Sequence, residues 1–560
     1  TPHRSATMHD RSVSWPPADR RRHRAAGYWD GLPLDRILDD AARRFPDRTA
    51  LVAGDRRWTY RQLVAEVETT AGRLRARGLG AGDRVVVQLP NIAAFPLVCF
   101  ALLRLGALPV LALPAQREAE IVPVAARGAA VAYVTAERHQ GYDYADLAAT
   151  VRREVPSIRE VMLLPADGQV AAAAHTATHP GIGAGAAAAP GTDDPDRGAG
   201  PAAAGDAADP PVALFLLSGG TTGIPKLIPR THDDYRYNAR TCAQLCGFDE
   251  STVYLAALPV AHNFALACPG ILGTFAVGGT VVLAVTPSPD EIFPLIERER
   301  VTVTAVVPAL ARLWAATAAL FTDDRSSLRL VQVGGARLDA TTARQLAANL
   351  DVTVQQVFGM AEGLICLTRP DDPVEVTHET QGRPISPGDE VRIVDAGGSD
   401  VVDGEVGELL TRGPYTIRGY HEAPEANARA FTPAGFYRSG DLVRRTAQGN
   451  LVIEGRIAEV VNRAGEKISV GEVEEHLLAH PDIRDVAVLG LADPLLGERS
   501  CAVVVARGQG LDRVELSRFL LGRGLARFKV PDQVEVVTQL PRTAIGKTDR
   551  AALSAHLLAT

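Results

Sequence analysis

Few features of this chain point away from an ordinary globular protein. Aromatic residues make up only 5%, and no apolar stretch reaches the roughly 20 residues needed to span a bilayer, so a membrane protein is not expected. The six cysteines (Cys99, Cys242, Cys246, Cys268, Cys366 and Cys501) are scattered, and no CxxC spacing suggests a metal or redox pair. Thiols so dispersed fit a reducing compartment, and the N-terminus lacks the hydrophobic core of a secretory signal, so a cytoplasmic protein is expected. There is no excess of positive charge either. The balance of 59 basic against 66 acidic residues disfavours a nucleic-acid partner. The one strongly basic run, Arg20, Arg21, Arg22, His23 and Arg24, reads as a solvated N-terminal segment.

What is present is length and alternation. At 560 residues the chain exceeds one compact core, and no internal repeat stands out. From Asp83 to about Ala361, short β-branched runs (84–89, 212–217, 301–307, 328–333) alternate with amphipathic stretches such as 289–300 and 339–350, which predicts parallel βα units. Between 388 and 457 the texture changes to short strands with Gly-rich turns, the pattern of a small antiparallel β unit. The expected fold class is therefore α/β: a large N-terminal domain of parallel sheets plus a small β unit over 27–455, then a small mobile α+β domain over 456–560. Residues 1–26 read as a disordered leader, with Pro16 and Pro17 near its end, and 166–211, rich in Ala, Gly, Pro and Asp, as a flexible loop.

The strongest motif is LLSGGTTGIPK at 216–226. A strand opens into a Gly, Ser and Thr loop ending in Lys226, and backbone N–H groups on such a loop can cradle phosphate because glycine lets the chain approach closely. It is not a GxxxxGK[ST] loop, since Ile224-Pro225 intervenes. Gly546-Lys547-Thr548 fails the same pattern, because Pro541 stands where its first glycine belongs.

The 216–226 segment resembles the phosphate loop of the acyl-adenylating enzymes, the superfamily of acyl-CoA synthetases, peptide-synthetase adenylation domains and luciferases. Further blocks follow in that family's order: QQVFGMAEG at 355–363, GELLTRGPYTIRGY at 407–420, FYRSGDL at 436–442, Gly455-Arg456, NRAGEKIS at 462–469 and PRTAIGKTDR at 541–550. The resemblance covers roughly 27 to 555 and implies that ATP and Mg²⁺ serve to activate a carboxylic acid as its adenylate. In-line attack on a phosphate needs positioning and cationic charge, which suits such blocks.

The same resemblance implies site residues. Ser218, Gly219, Gly220, Thr221, Thr222, Gly223 and Lys226 would hold the phosphates; Gly334, Gly335, Ala336, Val357, Phe358, Gly359 and Met360 would flank the adenosine; and Asp441 in an SGD turn and Arg456 would hold the ribose. Glu362 would bind Mg²⁺, a hard cation suited to carboxylate, and Lys547, His262 and Glu362 would be catalytic. Ala464, Gly465, Glu466 and Lys467 would form the loop presented in the second half-reaction, after a domain rotation about a hinge following Arg456. Position 458, where relatives carry Asp or Lys, is Ala.

The segment LPVAHNFALACPG at 258–270 resembles the pocket of the aryl acid:AMP ligases of siderophore assembly. By that resemblance Asn263, Phe264, Cys268, Gly335, Ala361 and Ile365 contact an aryl acid, with His262 and Phe264 as walls. Where 2,3-dihydroxybenzoate ligases carry Ser and Val, this chain has Cys268 and Ile365. A weaker hydrogen-bonding group and an extra methylene both favour salicylate. The implied acceptor is the phosphopantetheine thiol of an aryl carrier protein, with free CoA as the alternative.

Overall fold

A computed structural model describes residues 15–165, 211–218, 225–457, 460–463, 466–493, 496–508, 511–523, 525, 527–543 and 546–559. Two largely parallel sheets form its bulk. In the larger, nine strands run in the order Arg383–Pro384, Ile365–Leu367, Thr353–Gly359, Leu330–Gly334, Val303–Val306, Val253–Ala256, Thr280–Leu283, Thr49–Ala53 and Arg56–Thr59, parallel from Thr353–Gly359 through Thr49–Ala53. The other has six, ordered Leu227–Thr231, Val212–Leu217, Leu108–Leu111, Arg84–Gln88, Ala132–Ala136 and Glu160–Leu164. Every residue of Val303–Val306, Leu330–Gly334 and Ala132–Ala136 is buried, as parallel strands covered on both faces require. That is why these strands are mostly apolar, the polar exceptions Thr135, Thr304 and Gln332 being buried as well. Their helices begin at side-chain caps or prolines: Asp339 accepts from Thr342 N ahead of Ala340–Leu350, while Pro289 and Pro308 occupy first-turn positions.

A four-stranded antiparallel sheet follows (Glu390–Val394, Gly407–Arg412, Tyr437–Arg445, Leu451–Arg456). Asp441 does not sit in a turn, as the SGD motif suggested. It lies within the strand Tyr437–Arg445, where Gly440 takes φ 72° and the register shifts between Leu442 and Val443. The C-terminal unit has its own sheet, ordered Glu466–Ser469, Val460–Arg463, Gly497–Ala506 and Ile483–Asp493, with Gln533–Val537 parallel to Gly497–Ala506. The helices Val470–Leu478 and Arg513–Gly522 close a separate core around Val473, Leu477, Val488, Val504, Leu516 and Leu520.

Residues 15–26 depart from the expected leader. Pro17 starts a helix, Pro17–Ala25, that turns Arg20 (4% exposed) and His23 (1%) inward. Trp15 and Trp29 meet edge to face with ring centroids 4.9 Å apart, and the Arg418 guanidinium lies 4.7 Å from the Trp15 ring while also pairing with Asp19. The Arg-rich composition of 1–26 hid Trp15 and His23, which pack against Trp29 and Arg418 from outside the segment. Residues 166–210 of the expected flexible loop lie outside the described residues, as does Ala458.

Candidate active site

Adjacent parallel strands converge on one small cavity at their carboxyl ends, where open α/β sheets bind ligands. Leu258 and Pro259 follow Val253–Ala256, Val307 follows Val303–Val306, and Gly335 follows Leu330–Gly334; with His262 and Phe264 they line the cavity. A side chain on Gly334 would lie 3.1 Å from the Phe264 ring and 2.6 Å from Val357 O, so glycine is what lets the ring approach the strand ends. Val357 is buried, Phe358 and Met360 are half-buried, and Ala336 and Gly359 are exposed at the rim.

His262 caps the short helix Asn263–Ala267, its Nδ1 accepting from Phe264 N at 3.2 Å. Burial, reinforced by the Lys547 ammonium, pushes its pKa down to about 4, so the imidazole is neutral at neutral pH. Asn263 is buried. Its Oδ1 accepts from Tyr235 Oη at 2.8 Å and its Nδ2 points to Cys268 Sγ at 3.5 Å. The Cys268 thiol turns back to Asn263 O at 3.4 Å, and burial pushes its pKa up to about 12, so it remains a neutral thiol. Ile365 is fully buried and pairs with Gly359, where an added Cβ would meet Ile365 Cγ1 at 3.2 Å.

Lys547 reaches this cavity from the C-terminal unit. Its carbonyl accepts from Thr543 N at 2.7 Å, closing a tight loop in which Gly546 takes φ 80°. A Cβ built on Gly335 would stand 3.4 Å from Lys547 Cε, and one on Gly546 would stand 3.3 Å from Val307 Cγ2. Ion pairs seat the unit there: Arg312 with Asp485 at 3.8 Å, and Arg337 with Glu475 at 3.1 Å.

Glu362 is buried, its Oε1 accepting from Tyr420 Oη at 2.8 Å. Tyr420 in turn lies 3.2 Å from Tyr437 Oη, and the Lys226 ammonium stands 4.9 Å from the Tyr420 ring. Burial, with the Glu362 carboxylate next, raises the Tyr420 hydroxyl pKa well above its usual value, so it stays a donor. A carboxylate held in place is a suitable hard ligand for Mg²⁺, and the Lys226 ammonium is a suitable partner for phosphate oxygens. Asp441, 5% exposed, accepts from Arg456 Nε at 2.7 Å, so the two residues assigned to ribose form one pair across neighbouring strands.

Ser218 N donates to Lys226 O at 3.0 Å and Lys226 N to Ser218 Oγ at 2.9 Å, pinching the base of the loop between two antiparallel strands. Gly219, Gly220, Thr221, Thr222 and Gly223 lie outside the described residues, as do Ala464 and Gly465; Glu466 and Lys467 enter the strand Glu466–Ser469. The motifs brought in Tyr420 without singling it out, although it closes GELLTRGPYTIRGY. Leu258 and Pro259 open the LPVAHNFALACPG segment without being singled out, and Tyr235 and Val307 carried no separate signal, being ordinary residues of a helix and a strand end.

A two-sheet α/β body with a cavity at its strand ends, and a lysine delivered to that cavity by a separate C-terminal unit, defines an adenylate-forming enzyme. The chain belongs to the AMP-binding enzyme family, which it matches over residues 38–421, with the AMP-binding enzyme C-terminal domain matching over 472–547. Within the family it is an aryl acid-AMP ligase, and it uses ATP with Mg²⁺. The 2,3-dihydroxybenzoate-AMP ligase of Bacillus subtilis (strain 168) is 46% identical over 539 residues, 96% of each chain. The salicyl-AMP ligase / salicyl-S-ArCP synthetase of Mycobacterium tuberculosis is 48% identical, over 97% of this chain and 94% of that one. A salicylyl-CoA synthase / salicylate adenylyltransferase of a Streptomyces species is 48% identical, over 97% and 96%. Among solved structures, apo MbtA of Mycobacterium smegmatis superposes with a TM-score of 0.70 at 45% identity, over 97% of this chain and 98% of that one.

Proposed function

We propose that the enzyme activates an ortho-hydroxy aryl acid, salicylate in preference to 2,3-dihydroxybenzoate, and transfers the aryl group to the phosphopantetheine thiol of an aryl carrier protein in siderophore-type biosynthesis. The observation that carries this reading is the small cavity walled by His262, Phe264 and Gly335 with Lys547 beside it. In the first half-reaction a carboxylate oxygen of the acid attacks the α-phosphorus of ATP, forming the acyl-phosphate bond as pyrophosphate leaves. Lys547 would offset charge where the carboxylate meets the phosphate, and Glu362 would hold the Mg²⁺ that neutralises phosphate oxygens. Neutral His262 walls the acid without adding a second cation beside Lys547. Asp441 and Arg456 would hold the ribose, the carboxylate accepting from its hydroxyls. In the second half-reaction the carrier thiol attacks the acyl carbon, AMP leaves and a thioester forms.

The salicylate preference rests on Cys268 and Ile365. A thiol is a poor partner for a ring 3-hydroxyl, and Ile fills space that Val would leave. Pyrophosphate exchange across a panel of benzoic acids tests the reading: exchange should require an ortho hydroxyl, and better support from aliphatic or amino acids would refute it. The second reading, an aryl-CoA ligase, is favoured by the CoA synthase name of the Streptomyces relative. Transfer of labelled salicylate to a holo carrier protein against transfer to CoA separates the two.

A further inference from the structure

Arg230 is among the largest fully buried side chains, with 0% exposure. A buried guanidinium is costly unless its donors are met, and here they bind three different segments. Nε donates to Asp234 Oδ1 at 2.9 Å, Nη1 to Ala361 O at 2.8 Å and Nη2 to Tyr415 O at 3.1 Å, while the group lies 4.6 Å from the Tyr235 ring centroid. Asp234 is committed as well. Its Oδ2 accepts from Thr231 N and Thr231 Oγ1, both at 2.7 Å, in the capping box that starts the helix His232–Leu245.

Two of these partners are one bond from the proposed chemistry. Tyr235 donates from Oη to Asn263 Oδ1, which fixes the orientation of the amide and leaves its Nδ2 on the Cys268 side. Ala361 directly precedes Glu362, whose own carbonyl accepts from Ile417 N at 2.8 Å. Asn238, one turn further along the helix, donates to Ala267 O at 2.7 Å and so fixes the far end of the Asn263–Ala267 helix.

We propose that Arg230 is a positioning residue for adenylation, orienting the Asn263 amide through Tyr235 and the Glu362 turn through the Ala361 carbonyl. The proposal rests on the roles given above to Asn263 and Glu362. Lysine cannot replace the guanidinium, because one ammonium does not present a planar fork to three separated acceptors.

The test uses the full chain with Tyr235→Phe and Arg230→Lys. Wild type is assayed first, and if salicylate supports no pyrophosphate exchange, the functional reading fails before this inference is reached. With wild type active, Tyr235→Phe should raise KM for salicylate about tenfold, the effect of one buried hydrogen bond, and leave KM for ATP within about twofold. Calorimetric binding of salicylate without ATP should weaken by the same factor. Arg230→Lys should weaken salicylate binding similarly and also weaken Mn²⁺ binding, read by electron paramagnetic resonance with a non-hydrolysable ATP analogue, because both arms lose their anchor. A merely structural role predicts a lower Tm with unchanged affinities per folded molecule, and that result overturns the proposal. So does unchanged salicylate affinity in Tyr235→Phe, which loses only a hydroxyl and keeps the ring under the guanidinium.

Discussion

Asn263, next to the cavity-lining His262 and Phe264, and Lys547, beside Gly335, are anchored by different physics. Asn263 is held by a buried network in which Tyr235, Arg230, Asp234 and Thr231 satisfy one another, with Arg230 at 0% and Asp234 at 1% side-chain exposure. Lys547 is held by a tight loop on a separate core, seated against the large domain by pairs such as Arg312 with Asp485 and Arg337 with Glu475, whose side chains are 18–47% exposed. Breaking a buried, fully hydrogen-bonded network leaves orphaned polar groups, whereas an exposed ion pair contributes about 0–1 kcal/mol. The contrast suits the two-step chemistry proposed above. On that reading the acid-side groups are fixed by the folded core, while the lysine rests on exposed, individually weak contacts.

The largest expected effect removes the lysine. Lys547→Ala should lower salicylate-dependent pyrophosphate exchange by at least about a hundredfold, the scale of losing one preorganised charge at the reacting centre. Thioester formation from supplied salicyl-adenylate should change little. Equal loss in both half-reactions would mean a folding defect and would remove the distinction between the two anchors.

A second test acts on stability. Folding lowers the His262 pKa from 6.5 to about 4, so on acidification the unfolded chain takes up this proton before the folded one does. The stabilisation is complete above pH 6.5, falls as pH drops through the interval, and levels off near pH 4, for a total of about 3 kcal/mol. His262→Gln lacks the titrating group. Its urea midpoint should lose less than that of wild type between pH 7 and pH 4.5, and parallel curves would show that His262 is not buried in its neutral form. His23 and His232, also held down to about 4 chiefly by burial, add the same trend to both proteins.

Much of this arrangement was legible in the sequence where local pattern and tertiary role coincide. The run at 212–217 is the strand Val212–Leu217, whose middle four residues are buried between a parallel neighbour, Leu108–Leu111, and an antiparallel one, Leu227–Thr231, where apolar residues suffice. Gly334 and Gly335 stood out through the family resemblance alone, and a Cβ on Gly334 would stand 2.6 Å from Val357 O and 3.1 Å from the Phe264 ring. What pattern does not show is pairing across distance. Arg230 and Tyr235 lie four residues upstream and one downstream of Asp234's cap and 28 or more residues from the groups they serve, so nothing in RTHDDY announces a hub. The helix at Pro17–Ala25 was missed for the same reason, because its aromatic partners and Arg418 are supplied by the fold.

The acid side can be sharpened by a smaller change. Cys268→Ser should move the kcat/KM ratio of 2,3-dihydroxybenzoate to salicylate by about tenfold, one hydrogen bond's worth, and Ile365→Val added to it should move the ratio further. The Cys268 thiol touches Asn263 but is not among the residues lining the cavity, so the serine must act on a ring that reaches past Asn263. An unmoved ratio in both variants, with activity intact, would remove the basis for preferring salicylate.

The smallest effect belongs to the weak side of the comparison. Arg337 projects from the segment just after Gly335 and pairs with Glu475 on the helix Val470–Leu478 at 3.1 Å, with Glu454 at 3.9 Å. At 32% and 47% side-chain exposure the Arg337 and Glu475 charges are open to solvent, so the pair is screened by salt. Arg337→Ala should therefore slow pyrophosphate exchange only about twofold to threefold at low ionic strength, because the C-terminal unit spends less time with Lys547 over the cavity. Salt near 0.5 M should slow wild type toward the variant and leave the variant nearly unaffected, while thioester formation from supplied adenylate should not slow in either. Exchange rates measured across an ionic-strength series decide it: if wild type and Arg337→Ala respond to salt in parallel, this pair does not seat the lysine, and the seating falls to other contacts such as Arg312 with Asp485.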